Sequence, residues 1–214
     1  PTPEPTPEPT PEPTPEPTPE PDPATVSVAH FASFAADIDA TSVTVRVNGG
    51  DAITNFTFGE IEQGIELPAG DYTIEILPTG TETVAISGSA TLESGVEYTL
   101  AAIGDGVNQP LELFALVDET MPANDAAKIR IAHLAPFADS LEGTTVNICT
   151  DDGIAVLEGV PYKVFTNPYL ELPAGDYDLK IVPAANGCGD AALDLPAITL
   201  AAGMIYDVFA IGDG

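Results

Sequence analysis

The sequence predicts an all-β protein of two tandem antiparallel β-sandwich domains preceded by a Pro-rich extended tail. Three observations support this prediction: an internal repeat, short runs of alternating apolar residues, and a proline at every second position of residues 1–21. The repeat has a period of 103 to 108 residues, which is the size of one small domain. We therefore expect a stalk at residues 1–23, a first sandwich at 24–122 and a second at 123–214.

The repeat is visible in three segments of the first half that recur in the second half. These segments lie near the start, the middle and the end of each copy, so the correspondence spans the whole domain. The corresponding pairs are 26–37 with 129–140 (VSVAHFASFAAD and IRIAHLAPFADS), 67–72 with 172–177 (LPAGDY in both), and 102–106 with 210–214 (AIGDG in both).

The tail is predicted to be a stiff polyproline-II rod. Proline fixes its own φ angle and keeps the preceding residue extended, so 21 such residues span about 65 Å. Threonine beside proline is typical of O-glycosylated stalks, and a bare acidic spacer is the alternative. The candidate O-glycosylation residues are Thr2, Thr6, Thr10, Thr14 and Thr18.

Short strands follow from a period-two pattern in both copies. In the first copy Val43, Val45 and Val47 share one face, whereas Thr44 and Arg46 share the other. Such alternation is typical of half-buried strands. Turn residues recur about every ten residues, as in a β-sandwich.

One apolar run of strand length has no counterpart in the second copy. This run, LELFALV at residues 111–117, follows the first AIGDG. It is either a strand of the first domain, which leaves the second with an open edge, or a connection that belongs to neither core; we favour the first.

An open edge invites strand addition, and head-to-tail addition builds filaments. We therefore expect the chain to polymerise or the natural protein to continue past residue 214. The candidate strand-exchange residues are Leu111, Leu113, Ala115 and Val117.

The charge balance excludes several classes of partner. The chain has 34 acidic and 5 basic residues, a net charge of −29. Such a surface repels phosphate backbones and anionic membranes, and no apolar run approaches the roughly 18 residues of a membrane helix. We expect no nucleic-acid partner and no membrane insertion. Adaptation to high salt is a second explanation of the charge.

The two cysteines, Cys149 and Cys188, favour a disulfide bond. Each lies near a turn, and no CxxC metal-site spacing is present. A bridge across 39 residues contributes about 3 to 4 kcal/mol in the chain-entropy model. The repeat places Arg46 opposite Cys149 and Thr81–Glu82 opposite Cys188, so we expect an Arg46–Glu82 contact in place of the bridge in the first copy.

The sequence contains few residues that could catalyse a reaction or bind a metal ion. His30 and His133 are equivalent positions at the inward ends of apolar strands, and one histidine per domain supplies too few ligands for a metal. We interpret both as core histidines bonded to backbone. No nucleophile elbow or phosphate loop is present, so we expect no enzyme and no cofactor. Calcium is a weaker alternative, because the acidic loop residues form no DxDxDG loop. These residues are Asp37, Asp39, Asp105, Asp151, Asp152 and Asp213.

Taken together, these motifs resemble a bacterial family known as domain of unknown function 4397. The resemblance rests on VAHFASFAADID, IAHLAPFADS, both LPAGDY segments, YTLAAIGDG and YDVFAIGDG, and it covers about residues 25–214. The chain departs from the family pattern at Ala32–Ser33, which lacks the usual proline, and in its cysteine pair. The resemblance implies a secreted or surface-attached β-sandwich, often in tandem and similar to immunoglobulin-like and transthyretin-like folds. It implies no activity.

These expectations combine into one functional hypothesis. We expect an extracellular or cell-surface structural or adhesive glycoprotein that forms filaments through β-strand addition. The expected partners are further copies of the chain or neighbouring surface proteins and glycans. A carbohydrate- or calcium-binding surface module is the alternative.

Overall fold

The computed structural model describes residues 21–212, which form β-strands joined by turns and by two short 3₁₀ helices. The all-β prediction is therefore confirmed. The stalk up to residue 20 and its five candidate threonines lie outside the described residues, and so does Asp213. Within the described part of the chain, no helix has the length and apolar character that a membrane span requires.

The N-terminal half, residues 24–117, contains eight strands in two sheets. The strands are β1 (Ala24–His30), β2 (Val43–Val47), β3 (Gly50–Phe56), β4 (Ile61–Leu67), β5 (Gly70–Pro78), β6 (Ile86–Leu92), β7 (Glu97–Ile103) and β8 (Glu112–Val117). One sheet has the order β4-β1-β7-β8, and the other has the order β3-β2-β5-β6. The two sheets share a core of buried residues that includes Val26, Val45, Ile74 and Leu100.

The C-terminal half, residues 126–210, contains nine strands in three sheets. They are β9 (Ala126–His133), β10 (Val146–Thr150), β11 (Ala155–Val160), β12 (Leu170–Pro173), β13 (Gly175–Tyr177), β14 (Leu179–Pro183), β15 (Leu193–Asp194), β16 (Ile198–Leu200) and β17 (Ile205–Ala210). The sheet orders are β12-β9-β17, β11-β10-β14-β15 and β13-β16. The order β12-β9-β17 matches β4-β1-β7 position by position. The predicted boundary between residues 122 and 123 lies between β8 and β9 and stays a prediction.

The expectation of purely antiparallel sheets was wrong in one respect, because β1 pairs with β7 and β9 pairs with β17 in parallel. A long connection must separate parallel neighbours. In the N-terminal half that connection is the run β2 to β6, in which β2, β3, β5 and β6 belong to the opposite sheet and β4 belongs to the same sheet as β1. The remaining strand pairs are antiparallel among the described residues.

Local sequence explains the turns. The β2–β3 hairpin turns at Asn48 and Gly49, which have φ angles of 50° and 83°. Positive φ at both central residues is the geometry that matches the twist of a hairpin, and Asn-Gly adopts it readily. The same hydrogen bond stabilises the LPAGDY turn in both halves. The Tyr72 hydroxyl donates to the Pro68 carbonyl, and the Tyr177 hydroxyl donates to the Pro173 carbonyl, both at 2.8 Å.

The predicted covalent link is confirmed. Cys149 in β10 bonds to Cys188, with their Cα atoms 5.8 Å apart. The expected substitute in the N-terminal half is confirmed as well. The Arg46 guanidinium lies 3.3 Å from the Glu82 carboxylate and 2.7 Å from Asp51. The same pair of positions is thus tied by a covalent bond in one half and by a solvent-exposed ion pair in the other.

Candidate functional site at the open edge of the C-terminal half

Both histidines are held by backbone, as the sequence predicted. His30 Nε2 lies 2.9 Å from the Thr41 carbonyl oxygen, and Nδ1 accepts from the Ala32 N–H. His133 makes the equivalent bonds to Thr144 and Ala135. Because Nδ1 accepts in both halves, Nε2 carries the proton and each ring is neutral. Each ring therefore fastens a strand end to the following turn.

This arrangement predicts a pH dependence of stability. Burial lowers the pKa of His30 and of His133 below the ordinary 6.5. The unfolded chain then binds more protons than the folded chain below pH 6.5, so the histidine contribution is complete above that pH and is lost as the pH falls. The loss is at most about 1.4 kcal/mol per histidine for each pH unit. Denaturant midpoints between pH 7.5 and 5.5 measure it.

The control for that measurement is the double variant His30→Gln and His133→Gln, because a glutamine amide donates to the same carbonyls and does not titrate. Carboxylate effects are common to both proteins, so the difference in pH slope isolates the histidines. Equal slopes for the two proteins would contradict the assignment.

Two of the acidic loop residues considered for calcium cap their own loops. The Asp105 carboxylate accepts from the N–H groups of Val107, Asn108 and Gln109, and these bonds lower its pKa despite partial burial. Asp37 accepts from the Asp39 N–H. Among residues 21–212, His, Cys, Asp and Glu side chains form no group of three that could hold a metal ion.

The favoured interpretation of LELFALV is confirmed, because β8 pairs antiparallel with β7 inside the N-terminal half. Leu113 lies opposite Ala102, and Ala115 lies opposite Leu100. The Leu113 side chain packs so closely over Gly88 of β6 that a Cβ atom on that glycine would lie 2.9 Å from it. Strand β8 thus closes one side of the N-terminal core.

In the C-terminal half, β17 takes the place of β7 and pairs only with β9 among the described residues. The exposure of the two strands differs accordingly. Six of the seven residues of β7 are buried, whereas every residue of β17 is at least partly exposed. Tyr206, Val208 and Ala210 face the core from β17, and they correspond to Tyr98, Leu100 and Ala102. The second half therefore has an accessible sheet edge where the first half has a strand.

An apolar groove lies beside this edge. It has a volume of about 170 Å³ and lies between β17 and the segment that carries β15 and β16. Its wall includes Leu193, Leu195, Ile198, Val208 and Ile211. Pro196 stands where the N-terminal half has Gly88, and proline cannot continue a ladder, so this strand is split in two.

The two halves are joined by the outer faces of sheets β4-β1-β7-β8 and β12-β9-β17, which sequence reasoning did not predict. A buried cluster draws equivalent residues from both halves, with the rings of Phe31 and Phe209 5.0 Å apart. Contact between equivalent surface patches is the arrangement of a two-fold dimer interface. The equivalent pairs are Ala29 with Ala132, Phe31 with Leu134, Ala101 with Phe209, and Ile103 with Ile211.

A buried cation also lies at this interface between the two halves. The Arg130 side chain is 2% exposed and lies 2.5 Å from Asp118, after β8, and 2.7 Å from Asp207 in β17. Its Nη1 atom donates to the Val117 carbonyl, and its guanidinium lies 5.0 Å from the centre of the Tyr169 ring. The Asp207 contact is close but poorly aligned as a hydrogen bond, so it acts as an ion pair. Burial raises the pKa of Asp207, and Tyr169 and Arg130 oppose that rise.

Comparison with known proteins finds one family on the chain. The model described as domain of unknown function (DUF4397) matches residues 24–144, more than half of the chain. The match covers the N-terminal half and continues through β9 to Thr144, whose carbonyl is the partner of His133. None of the curated proteins matches the sequence.

Two solved structures resemble the chain weakly. The Bacillus anthracis TIE protein is 11% identical with a TM-score of 0.27, over 89% of this chain and 34% of that one. A leucine-rich repeat protein from Bacteroides thetaiotaomicron is 14% identical with a TM-score of 0.20, over 88% of this chain and 26% of that one. The chain thus spans about a third and about a quarter of these two proteins.

Proposed function

The chain belongs to the DUF4397 family, and from this premise we propose that it is an extracellular structural protein that binds a strand of a second polypeptide along β17. In this proposal the two halves are tandem β-sandwich domains of immunoglobulin-like or transthyretin-like type, and the second half is a further copy of the family domain. The matching strand order, the paired histidine contacts and the paired LPAGDY turns support the second copy.

The location outside the cell is supported by the disulfide bond. Such bonds persist in oxidising environments and are rare in the cytosol. The Pro-Thr-Pro-Glu tail suits a stiff stalk, with O-glycans on its threonines, that holds the two domains away from a surface. The proposed role is mechanical rather than catalytic.

The single observation that carries the proposal is the contrast between β7, which β8 covers, and β17, which no described strand covers. The N-terminal half supplies a template for the occupant. A donor strand would run antiparallel to β17 and place a Leu113-like side chain opposite Ala210. A cavity of about 150 Å³ holds a molecule the size of benzene, so the groove of about 170 Å³ accommodates one leucine-sized side chain.

A peptide with the sequence of residues 110–118, PLELFALVD, tests this proposal. It is expected to bind the chain saturably, because it carries the strand that covers the equivalent edge in the N-terminal half. The same peptide with Leu113→Glu is expected not to bind, since it would bury a charge in an apolar groove. Fluorescence anisotropy of the labelled peptides measures both.

A variant of the acceptor locates the binding. Leu193 lines the groove and is 50% exposed, so Leu193→Trp fills the groove without disturbing the core and is expected to abolish peptide binding. Leu141→Trp is the matched control, because Leu141 is 57% exposed and does not line the groove. Light scattering of the chain alone across concentration tests self-assembly. A chain that stays monomeric and binds neither peptide would contradict the proposal.

A further inference from the structure

The N-terminal half contains a cavity that the proposed binding of a strand along β17 does not involve. The cavity has a volume of about 530 Å³ and lies between the two sheets, with residues of both in its wall. Most of the wall is aliphatic, including Val28, Val47, Ile53, Ile65 and Ile76. Pockets of 300 to 1,000 Å³ with apolar walls are typical of small-molecule sites. Water finds few hydrogen-bond partners in such a wall, whereas an apolar molecule gains contacts along its whole length.

The entrance lies between the edge strands β3 and β4. On the opposite side of the sandwich β6 and β8 pack together, but β3 and β4 do not pack along their length. Both edge strands contain a bulge. Strand β4 has an extra residue near Gly64, with a φ of 74°, and β3 has one near Asn55, with a φ of 56°. Bulges bend a strand and are enriched at sheet edges and next to functional sites. Here the two bulges lie on opposite sides of the opening.

The polar groups in the wall of the cavity limit the charge that a bound ligand can carry. His30 lines the cavity, but both of its ring nitrogens are bonded to backbone. Glu62 is the one acidic side chain in the wall, it is exposed, and it lies in β4 beside the bulge at Gly64. The wall contains no lysine or arginine. An anionic head group would therefore meet only like charge at the entrance, whereas a cationic head group would meet Glu62.

We propose that this cavity binds a hydrophobic small molecule whose apolar body lies between the sheets and whose positively charged head group lies beside Glu62. This site is separate from the β17 edge, so either proposal stands if the other fails.

Three molecules with the same dodecyl chain and different head groups test the proposal. Dodecylamine and dodecanoate are titrated below their micelle concentrations and dodecanol below its solubility limit, and displacement of the neutral dye Nile red reports occupancy. Dodecylamine is expected to bind at least tenfold more tightly than dodecanoate, with dodecanol between them. The variant Glu62→Gln is expected to bring the amine close to the alcohol and to leave the alcohol unchanged.

Variants that fill the cavity separate specific binding from attraction to an acidic surface. Val47 is half-buried and lines the cavity, so Val47→Phe is expected to weaken all three ligands at least tenfold; Ile65→Phe at the entrance is the second such variant. Val107→Phe is the matched control, because Val107 is 87% exposed and does not line the cavity. Circular dichroism verifies that each variant is folded.

Loss of binding in either folded cavity variant, with binding retained in Val107→Phe, supports the site. Failure of all three ligands to displace the dye, or unchanged binding in both folded cavity variants, would overturn it. Equal affinity for the amine and the carboxylate would overturn the assignment of the head group.

Discussion

Replacing Arg130 with methionine is expected to lower the free energy of unfolding by about 3 kcal/mol. The substitution keeps an unbranched apolar stem but removes the cation between Asp118 and Asp207. The two carboxylates then face each other with no counter-charge, and the Val117 carbonyl loses its donor. We place the effect at the lower end of the range for buried pairs, because the side chains of Asp118 and Asp207 are 13% and 27% exposed. Denaturant unfolding measures it.

Two controls accompany this prediction. Lys128 lies two residues earlier in β9 and pairs with Glu119 at 3.0 Å nearer the surface, so Lys128→Met is expected to lower the free energy of unfolding much less than Arg130→Met does. Adding Asp118→Asn and Asp207→Asn to Arg130→Met is expected to recover most of the loss, because the unpaired charges are gone. An Arg130→Met variant as stable as the parent chain would contradict the role assigned to this ion network.

Removing the disulfide with Cys149→Ala and Cys188→Ala is expected to cost about 4 kcal/mol, from the loop entropy of a 39-residue separation. The loss of stability is expected in the C-terminal half, since both cysteines lie there. Amide hydrogen exchange separates the two halves. Faster exchange is expected in β10 and β14, which flank the bridge, and unchanged exchange in β2 and β5.

The N-terminal half supplies the comparison for this result. Arg46 occupies the position equivalent to Cys149, and its partner Glu82 is 86% exposed. An exposed pair of this kind contributes little to stability, so Arg46→Ala is expected to have a much smaller effect than the loss of the disulfide. If the cysteine variant unfolded at the denaturant concentration of the parent chain, the bridge would have no stabilising role.

Much of this architecture was accessible from the sequence because it is local or repeated. Period-two alternation predicts strands such as β2, and the apolar run LELFALV predicts the strand that covers β7. The turns beside Cys149 and Cys188 predict the disulfide, and the alignment of the two halves predicts the Arg46–Glu82 contact. These predictions need only the positions of residues along one strand or across the repeat.

The interface between the two halves was not predicted, because it depends on which outer faces of the sheets contact each other. One signal was present in the sequence. Ala29 and Phe31 make the outward face of β1 apolar at its end, and a solvated face would carry polar residues there. Arg130 was a second signal, since its equivalent in the first copy is Ser27. The cavity between the sheets has no sequence signature, because its volume depends on how far apart the two sheets pack.

Hydrogen exchange of the chain with and without the PLELFALVD peptide tests whether the edge of β17 binds a strand. The peptide is expected to slow amide exchange in residues 205–210 and to leave exchange in β7 unchanged, because β8 already covers β7. Unchanged exchange at residues 205–210 under a saturating concentration of peptide would contradict strand binding at this edge.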